Sequence, residues 1–147
     1  MFNLVDIEAP VRAGGRRPPA PGNRLVSTGA GAVLATFNSE LEDNEPHVDL
    51  EYWSAAPPAP EGAWEAWESH AREGLAVDGG LLTLASGISG DGASHRLALP
   101  PGNYHLDAWC RGRTEARAAE LDAVDAGTLP YGVERWLVRL WPATRPW

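Results

Sequence analysis

The segment PPGNYHLDAWCRGR, residues 100–113, places three chemically active side chains close together. Cys110 is the only cysteine of the chain, and His105 and Asp107 lie shortly before it. A nucleophilic thiol, a base and an acid that orients the base are the parts of a cysteine-dependent active site. The segment therefore raises the question of whether the chain carries such a site.

The alternation of side chains along a strand argues against this site. If the segment is a β-strand, Cys110 shares a face with Tyr104 and Leu106, whereas His105 and Asp107 point to the opposite face. We therefore predict that Cys110 is a small buried hydrophobe, because free cysteine is among the most buried residue types. A reactive thiolate needs a positive, partly exposed setting, which only His95 could begin to supply.

Two metal sites are conceivable from residue types alone. His105 and Asp107 could start one, with a third ligand such as His47 or Asp49 from another strand. The acidic run 40–45 could hold calcium, but it lacks the alternating ligands and the glycine of a dedicated calcium loop. We predict no metal and no other cofactor, and a solvated acidic loop at 40–45.

Glycine and proline punctuate the chain, and short runs rich in β-branched and aromatic residues lie between them. This spacing is typical of an all-β sandwich or barrel. We predict an all-β fold, a single-domain antiparallel β-sandwich over residues 1–147 with about nine short strands and at most one or two short helices. The predicted strands are 2–8, 24–28, 32–37, 47–53, 74–78, 81–86, 95–100, 104–111 and 134–141.

The remaining segments are predicted as connections. Residues 14–23 form a flexible loop rich in proline and glycine, and 144–147 form a frayed tail. A short helix is predicted near 114–122. Residues 63–73 have the composition of a helix but also alternate as a strand would, so both remain open.

The sequence also predicts one strand pairing. Residues 95–100 and 104–111 are joined by a short turn and would form a hairpin. Its register pairs Leu97 with Leu106 on the apolar face and Arg96 with Asp107, as an ion pair, on the other.

Composition excludes several classes of protein. The net charge of −8 should repel nucleic acid. No apolar run approaches the length of a membrane span, and the N-terminal residues do not have the order of a secretory signal. A single cysteine cannot form an internal disulfide, so we predict a cytoplasmic protein. The chain contains no G-x-G-x-x-G, P-loop, G-x-S-x-G or H-E-x-x-H motif.

Tryptophan and arginine recur on the strand faces that alternation turns away from the core. These residue types are enriched at binding hot spots, because tryptophan buries a large rigid area and arginine supplies a fork of donors. Packing under the loops is the alternative for these tryptophans. The predicted partner-binding residues, with the acids of the neighbouring loop, are Trp53, Trp109, Arg111, Arg139, Trp141, Glu40, Glu42 and Asp43.

The order VDLEYW (48–53), LPPGNYHLDAWCRGR (99–113) and ERWLVRLWPA (134–143) resembles a family of small bacterial β-sandwich proteins. The stretch LPPGNYHLDAWC also resembles competence protein J, an inhibitor of a DNA-entry nuclease. The resemblance implies a β-sandwich that binds and blocks another protein, and it favours a strand at 63–73. It implies no catalytic residues.

Three functions follow as hypotheses. The first is a small protein-binding module, an inhibitor or immunity-type protein that blocks a basic enzyme, nuclease or toxin and is not itself an enzyme. The second is a self-assembling module that forms a homo-oligomer through its edge strands. The third is a jelly-roll-like ligand or metal binder that uses His95, His105 and Asp107.

Overall fold

The computed structural model describes residues 1–10, 24–39, 45–62, 66–86, 96–126 and 131–144. Within these residues the chain forms nine strands and one helix. The strands are β1 (Phe2–Asp6), β2 (Val26–Thr28), β3 (Val33–Phe37), β4 (Glu45–Tyr52), β5 (Ser69–Val77), β6 (Leu81–Ser86), β7 (Arg96–Ala98), β8 (Gly102–Arg111) and β9 (Tyr131–Pro142), and the helix α1 is Arg113–Ala126.

The strands form two sheets, which we call sheet A and sheet B. Sheet A has the order β2-β3-β1-β6-β7, and sheet B has the order β4-β9-β8-β5. The nine strands and the helix confirm the β-rich prediction. The prediction of a wholly antiparallel sandwich is wrong, because β4 and β9 pair in parallel.

The two sheets pack their inner faces together in a sandwich-like arrangement. Phe2 and Phe37 of sheet A stack with ring centroids 4.6 Å apart, and Trp136 of sheet B meets Phe2 edge-on at 5.3 Å. Aromatic pairs of this kind contribute about 0.5–1.5 kcal/mol beyond the area they bury. Tyr104 and Leu106 lie in the same core.

Two buried carboxylates shape this core. Asp6 accepts hydrogen bonds from the backbone N–H groups of Gly79 at 2.7 Å and Gly80 at 3.2 Å, which fixes the turn between β5 and β6. Glu134 accepts from the indole N–H of Trp136 at 2.6 Å and from the hydroxyl of Ser39 at 3.2 Å. Buried polar groups are costly unless they are hydrogen-bonded, and both carboxylates meet this requirement.

The predicted hairpin of 95–100 with 104–111 is wrong. β7 pairs with β6, where Leu97 lies opposite Leu82, whereas β8 pairs with β5 and β9 in the other sheet. The turn at 100–103 therefore carries the chain from one sheet to the other. The Tyr104 hydroxyl donates to the carbonyl of Pro100 and fastens the start of β8 to this turn.

Residues 63–73 contain the start of β5, so the strand prediction is confirmed from Ser69 onward. Residues 63–65 lie outside the described residues, as do the predicted loop 14–23 and most of the predicted tail at 144–147.

The helix near 114–122 is confirmed and extends from 113 to 126. Gly112, just before it, has φ of 79°, and a Cβ there would lie 2.1 Å from the Val133 carbonyl oxygen.

Candidate protein-binding surface

The outer face of sheet B carries a row of four charged residues of alternating sign. Strand register places Glu51 beside Arg139, Arg139 beside Asp107, and Asp107 beside Arg72. The row crosses all four strands, and we call it the charge row. Opposite charges on neighbouring strands stabilise a sheet, whereas like charges in these positions would destabilise it.

Asp107 is the buried centre of the charge row. Its carboxylate lies 3.4 Å from Arg72 Nε, accepts from the indole N–H of Trp109 at 2.9 Å, and bonds to His70 Nε2. The predicted ion pair of Asp107 with Arg96 is wrong, because Arg96 lies on β7 in the other sheet. Asp107 thus has an extensive set of partners on its own sheet.

Cys110, His105 and Asp107, the residues of the conceivable cysteine-dependent active site, do not come together in the structure. Cys110 is fully buried in the core, with Sγ directed toward Glu134 at 4.0 Å, as predicted for a small buried hydrophobe. His105 lies on the other face of β8, where its ring packs on Trp141 with centroids 5.2 Å apart.

The residues considered for a metal are separated as well. His47 lies opposite Arg135 and Asp49 opposite Leu137, so neither side chain approaches the carboxylate of Asp107. His47 Nε2 lies 3.2 Å from Asp49 Oδ1. Within the described ranges, no three His, Cys, Asp or Glu side chains group as metal ligands. His95 lies outside them.

Two of the predicted partner-binding tryptophans are covered by the chain itself. Trp109 is 4% exposed and stacks on His70 with centroids 3.9 Å apart. Trp141 is 5% exposed and lies beneath the guanidinium of Arg72, 5.1 Å from its ring centroid. Side chains of the neighbouring strand β5 contact both rings, whereas the alternative left open by the sequence was packing under the loops.

The predicted arginines also contact the chain itself. Arg111 places its guanidinium 5.0 Å from the ring centroid of Trp67. Arg139 donates to the carbonyl of Pro58 at 2.6 Å, and its guanidinium lies 5.3 Å from the ring centroid of Trp53. Arg139 thereby holds the segment that follows β4 against the outer face of sheet B.

Trp53 is the predicted aromatic residue that remains at the surface. It follows β4, is 36% exposed, and donates its indole N–H to Glu51 at 2.7 Å. Tyr52 beside it is 38% exposed. On the same strand the Asp49 side chain is 63% exposed. Asp49 and Glu51 share the outer face of β4, and neither was among the predicted partner-binding residues.

We define the β4 edge as the outward side of β4 together with the exposed side chains of Asp49, Glu51, Tyr52 and Trp53. β4 is the last strand of sheet B on this side, and no other described strand pairs with it there. Glu40, Glu42 and Asp43 immediately precede β4 in the sequence but lie outside the described residues. The β4 edge is thus acidic, aromatic and open within the described part of the chain.

The phenol of Tyr104 lies behind the β4 edge, on the inner side of sheet B. Its ring meets Tyr52 edge-on, with centroids 6.1 Å apart. Burial raises the pKa of Tyr104, and the nearby phenol of Tyr52 adds to the increase. Tyr104 is therefore a neutral hydrogen-bond donor over the ordinary range of pH.

A polar cleft of about 290 Å³ lies at the start of α1. Glu68 is one of its walls and accepts a hydrogen bond from the backbone N–H of Gly112 at 2.9 Å. The other lining residues are Ser69, Arg113, Thr114 and Arg117. The cleft lies where the start of α1 meets the start of β5, a juxtaposition that alternation along each element does not predict.

Within the described residues, no helix has the length and apolar character needed to cross a membrane. A scan against protein-family models and searches of curated proteins and solved structures gave no match to this chain.

Proposed function

We propose that the chain is a small protein-binding module that uses the β4 edge to hold a positively charged partner protein. The observation that supports this most is the exposure of Tyr52 and Trp53 next to Asp49 and Glu51 on a strand at the end of its sheet. Exposed aromatic residues supply rigid contact area, and neighbouring acids select partners of opposite charge.

The overall charge favours the same kind of partner. The net charge of −8 steers basic proteins toward the chain and speeds association at low salt. Such steering is a known property of acidic inhibitors of basic enzymes. An inhibitor or immunity-type protein acting on a nuclease or toxin fits this charge, and the resemblance of LPPGNYHLDAWC to competence protein J supports a nuclease as the first target to test.

One member of the charge row, Arg139, holds the residues of the proposed surface in position. Arg139 binds Glu51 and the segment that follows β4, so it sets the position of Trp53. In this proposal Arg139 positions the binding surface and Trp53 makes contact with the partner, whereas Trp109 and Trp141 pack against side chains of β5. The predicted acids Glu40, Glu42 and Asp43 would extend the negative charge beyond the start of β4.

The proposed cellular location is the cytoplasm. The chain has a single cysteine, which cannot form an internal disulfide, and this composition is typical of proteins from reducing compartments.

Affinity capture from the native host at low salt tests this proposal. Trp53→Ala removes the exposed aromatic residue, and Leu121→Ala, at another exposed apolar side chain on α1, is the matched control. We expect one basic protein to be captured by the wild type and the control, with affinity for Trp53→Ala reduced by about 2 kcal/mol. Equal affinity of both variants for that protein would place the contact surface elsewhere.

Self-assembly is the second candidate, and the open side of β4 is the observation that favours it. An edge strand presents N–H and C=O groups that another copy could pair with. Light scattering at micromolar concentration distinguishes the two functions. A stable dimer that Trp53→Ala dissociates would favour self-assembly, and a monomer would exclude it.

A further inference from the structure

The backbone of β4 has one side bonded to β9 and one side directed outward. The N–H of Trp53 donates to the carbonyl of Leu140 at 2.8 Å, so Trp53 faces β9. Successive residues of a strand direct their backbone groups to opposite sides. The N–H and C=O groups of Val48, Leu50 and Tyr52 therefore point away from β9.

Pro46 sets the start of this open side. Its backbone is on the same side of β4 as that of Val48, but proline has no N–H to donate. The outward pairing positions therefore run from Val48 to Tyr52. This length is sufficient for a short added strand, since strands in proteins are usually about 3–10 residues long.

The side chains of β4 define what an added strand must carry. Asp49 and Glu51 both point to the outer face of sheet B, and both side chains are at least 40% exposed. Residues two apart on a strand lie about 6.6–6.8 Å apart. A paired strand with a basic residue at every second position would place its cations opposite these acids.

We propose that the β4 edge binds an extended segment of its partner by strand addition, with arginine or lysine at alternate positions of that segment facing Asp49 and Glu51. This inference rests on the proposed function and specifies the chemistry of the partner. Main-chain hydrogen bonds hold the added strand, and the alternating charges determine its register.

Charge makes a second copy of the chain a less favourable occupant than a basic segment. Two β4 edges placed side by side would bring Asp49 and Glu51 of one copy near the same acids of the other. Like charges opposite each other destabilise a strand pair. A basic segment removes this repulsion and gains attraction in its place.

A synthetic peptide of about eight residues that alternates arginine with valine tests the inference directly. A matched peptide has the same side chains but carries N-methyl groups on the valines, so its charge is kept and its valine N–H donors are lost. Binding is measured by calorimetry at low salt. Amide hydrogen exchange of the full chain, followed by NMR, reports on the individual residues of β4.

We expect exchange at Val48, Leu50 and Tyr52 to slow by about tenfold or more when the unmodified peptide is bound. Exchange at Glu51, whose N–H faces β9, should change much less. N-methylation should weaken binding by about tenfold or more. The variant Asp49→Arg should lose binding, whereas Asp122→Arg, with the same change of charge on exposed α1, should keep it.

Several results would overturn strand addition. One is equal binding of the two peptides with no slowing of amide exchange at Val48, Leu50 and Tyr52. Another is no binding of the unmodified peptide at millimolar concentration. Protection of these amides by rising protein concentration alone would identify a second copy as the occupant. A host protein captured through Trp53 would still support the proposed function after any of these results. The proposed function and strand addition can therefore fail separately.

Discussion

Arg139 Nε lies 3.2 Å from Glu51 Oε2, across the parallel strands β4 and β9. The same guanidinium donates to the carbonyl of Pro58, so one buried arginine joins the sheet to the segment that follows β4. This relationship makes Arg139 a support of the β4 edge.

Replacing Arg139 should therefore reduce stability more than replacing an exposed arginine of the same strand. We expect Arg139→Ala to lower the free energy of unfolding by about 2 kcal/mol, because hydrogen bonds from a charged donor contribute about 1.5–3 kcal/mol. Arg135→Ala, an exposed position on β9, should stay within about 0.5 kcal/mol of wild type. Urea denaturation measures both, and equal values would contradict the supporting role.

Asp107 should be the most sensitive member of the charge row. Replacing it with alanine leaves the buried indole N–H of Trp109 without this acceptor, and a buried donor without its partner costs about 1–3 kcal/mol. Asp49→Ala, on the exposed part of β4, is the control and should cost little. Denaturation followed by tryptophan fluorescence measures both variants. A loss below about 1 kcal/mol for Asp107→Ala would show that the network is not a stabilising centre.

The contacts of Asp107 show what alternation along a strand can and cannot predict. Alternation assigns Cys110 to the core and Asp107 to the other face, and both assignments are confirmed. It does not predict which strands lie beside β8. His70 and Arg72 reach Asp107 because β5 pairs with β8, a pairing between segments more than 30 residues apart.

Two local signals in the sequence were misleading for the same reason. The turn at 100–103 has the composition of a hairpin loop, yet β7 and β8 belong to different sheets. Trp109 and Trp141 lie on outward faces as predicted, but neighbouring strands supply the side chains that cover them. Trp53 remains exposed because it follows β4, the last strand of sheet B on that side.

Tyr104 should make stability depend on pH in the alkaline range. In the unfolded chain tyrosine ionises near its ordinary pKa of about 10, whereas in the folded chain the pKa is raised by burial. The contribution of Tyr104 to stability is therefore fully present below pH 10 and is lost as pH rises through the raised pKa of the folded chain, because in that window only the unfolded chain releases the proton.

The variant Tyr104→Phe separates this effect from the hydrogen bond to Pro100. At neutral pH it should be about 1 kcal/mol less stable than wild type, because that hydrogen bond is lost. Above pH 10 the difference should narrow, since phenylalanine does not ionise. Unfolding in urea between pH 8 and pH 11 measures this difference. A difference that stays constant over the range would contradict the raised pKa.

Cys110 should be unreactive in the folded chain. Its side chain is fully buried in the core, and thiol reagents require an exposed thiolate. We expect a thiol reagent that releases a chromophore to modify Cys110 slowly in native buffer and rapidly in concentrated urea. The absorbance of the chromophore measures both rates. Rapid modification of the folded protein would instead indicate an accessible nucleophile and reopen the possibility of an active site.

The most direct measurement of the β4 edge is quantitative affinity capture from the native host with wild type, Asp49→Arg and Asp122→Arg. Both variants change the net charge equally, but only Asp49 lies on the β4 edge. We predict one basic protein that is retained by wild type and Asp122→Arg and lost with Asp49→Arg. Retention of that protein by Asp49→Arg as well would contradict binding at the β4 edge.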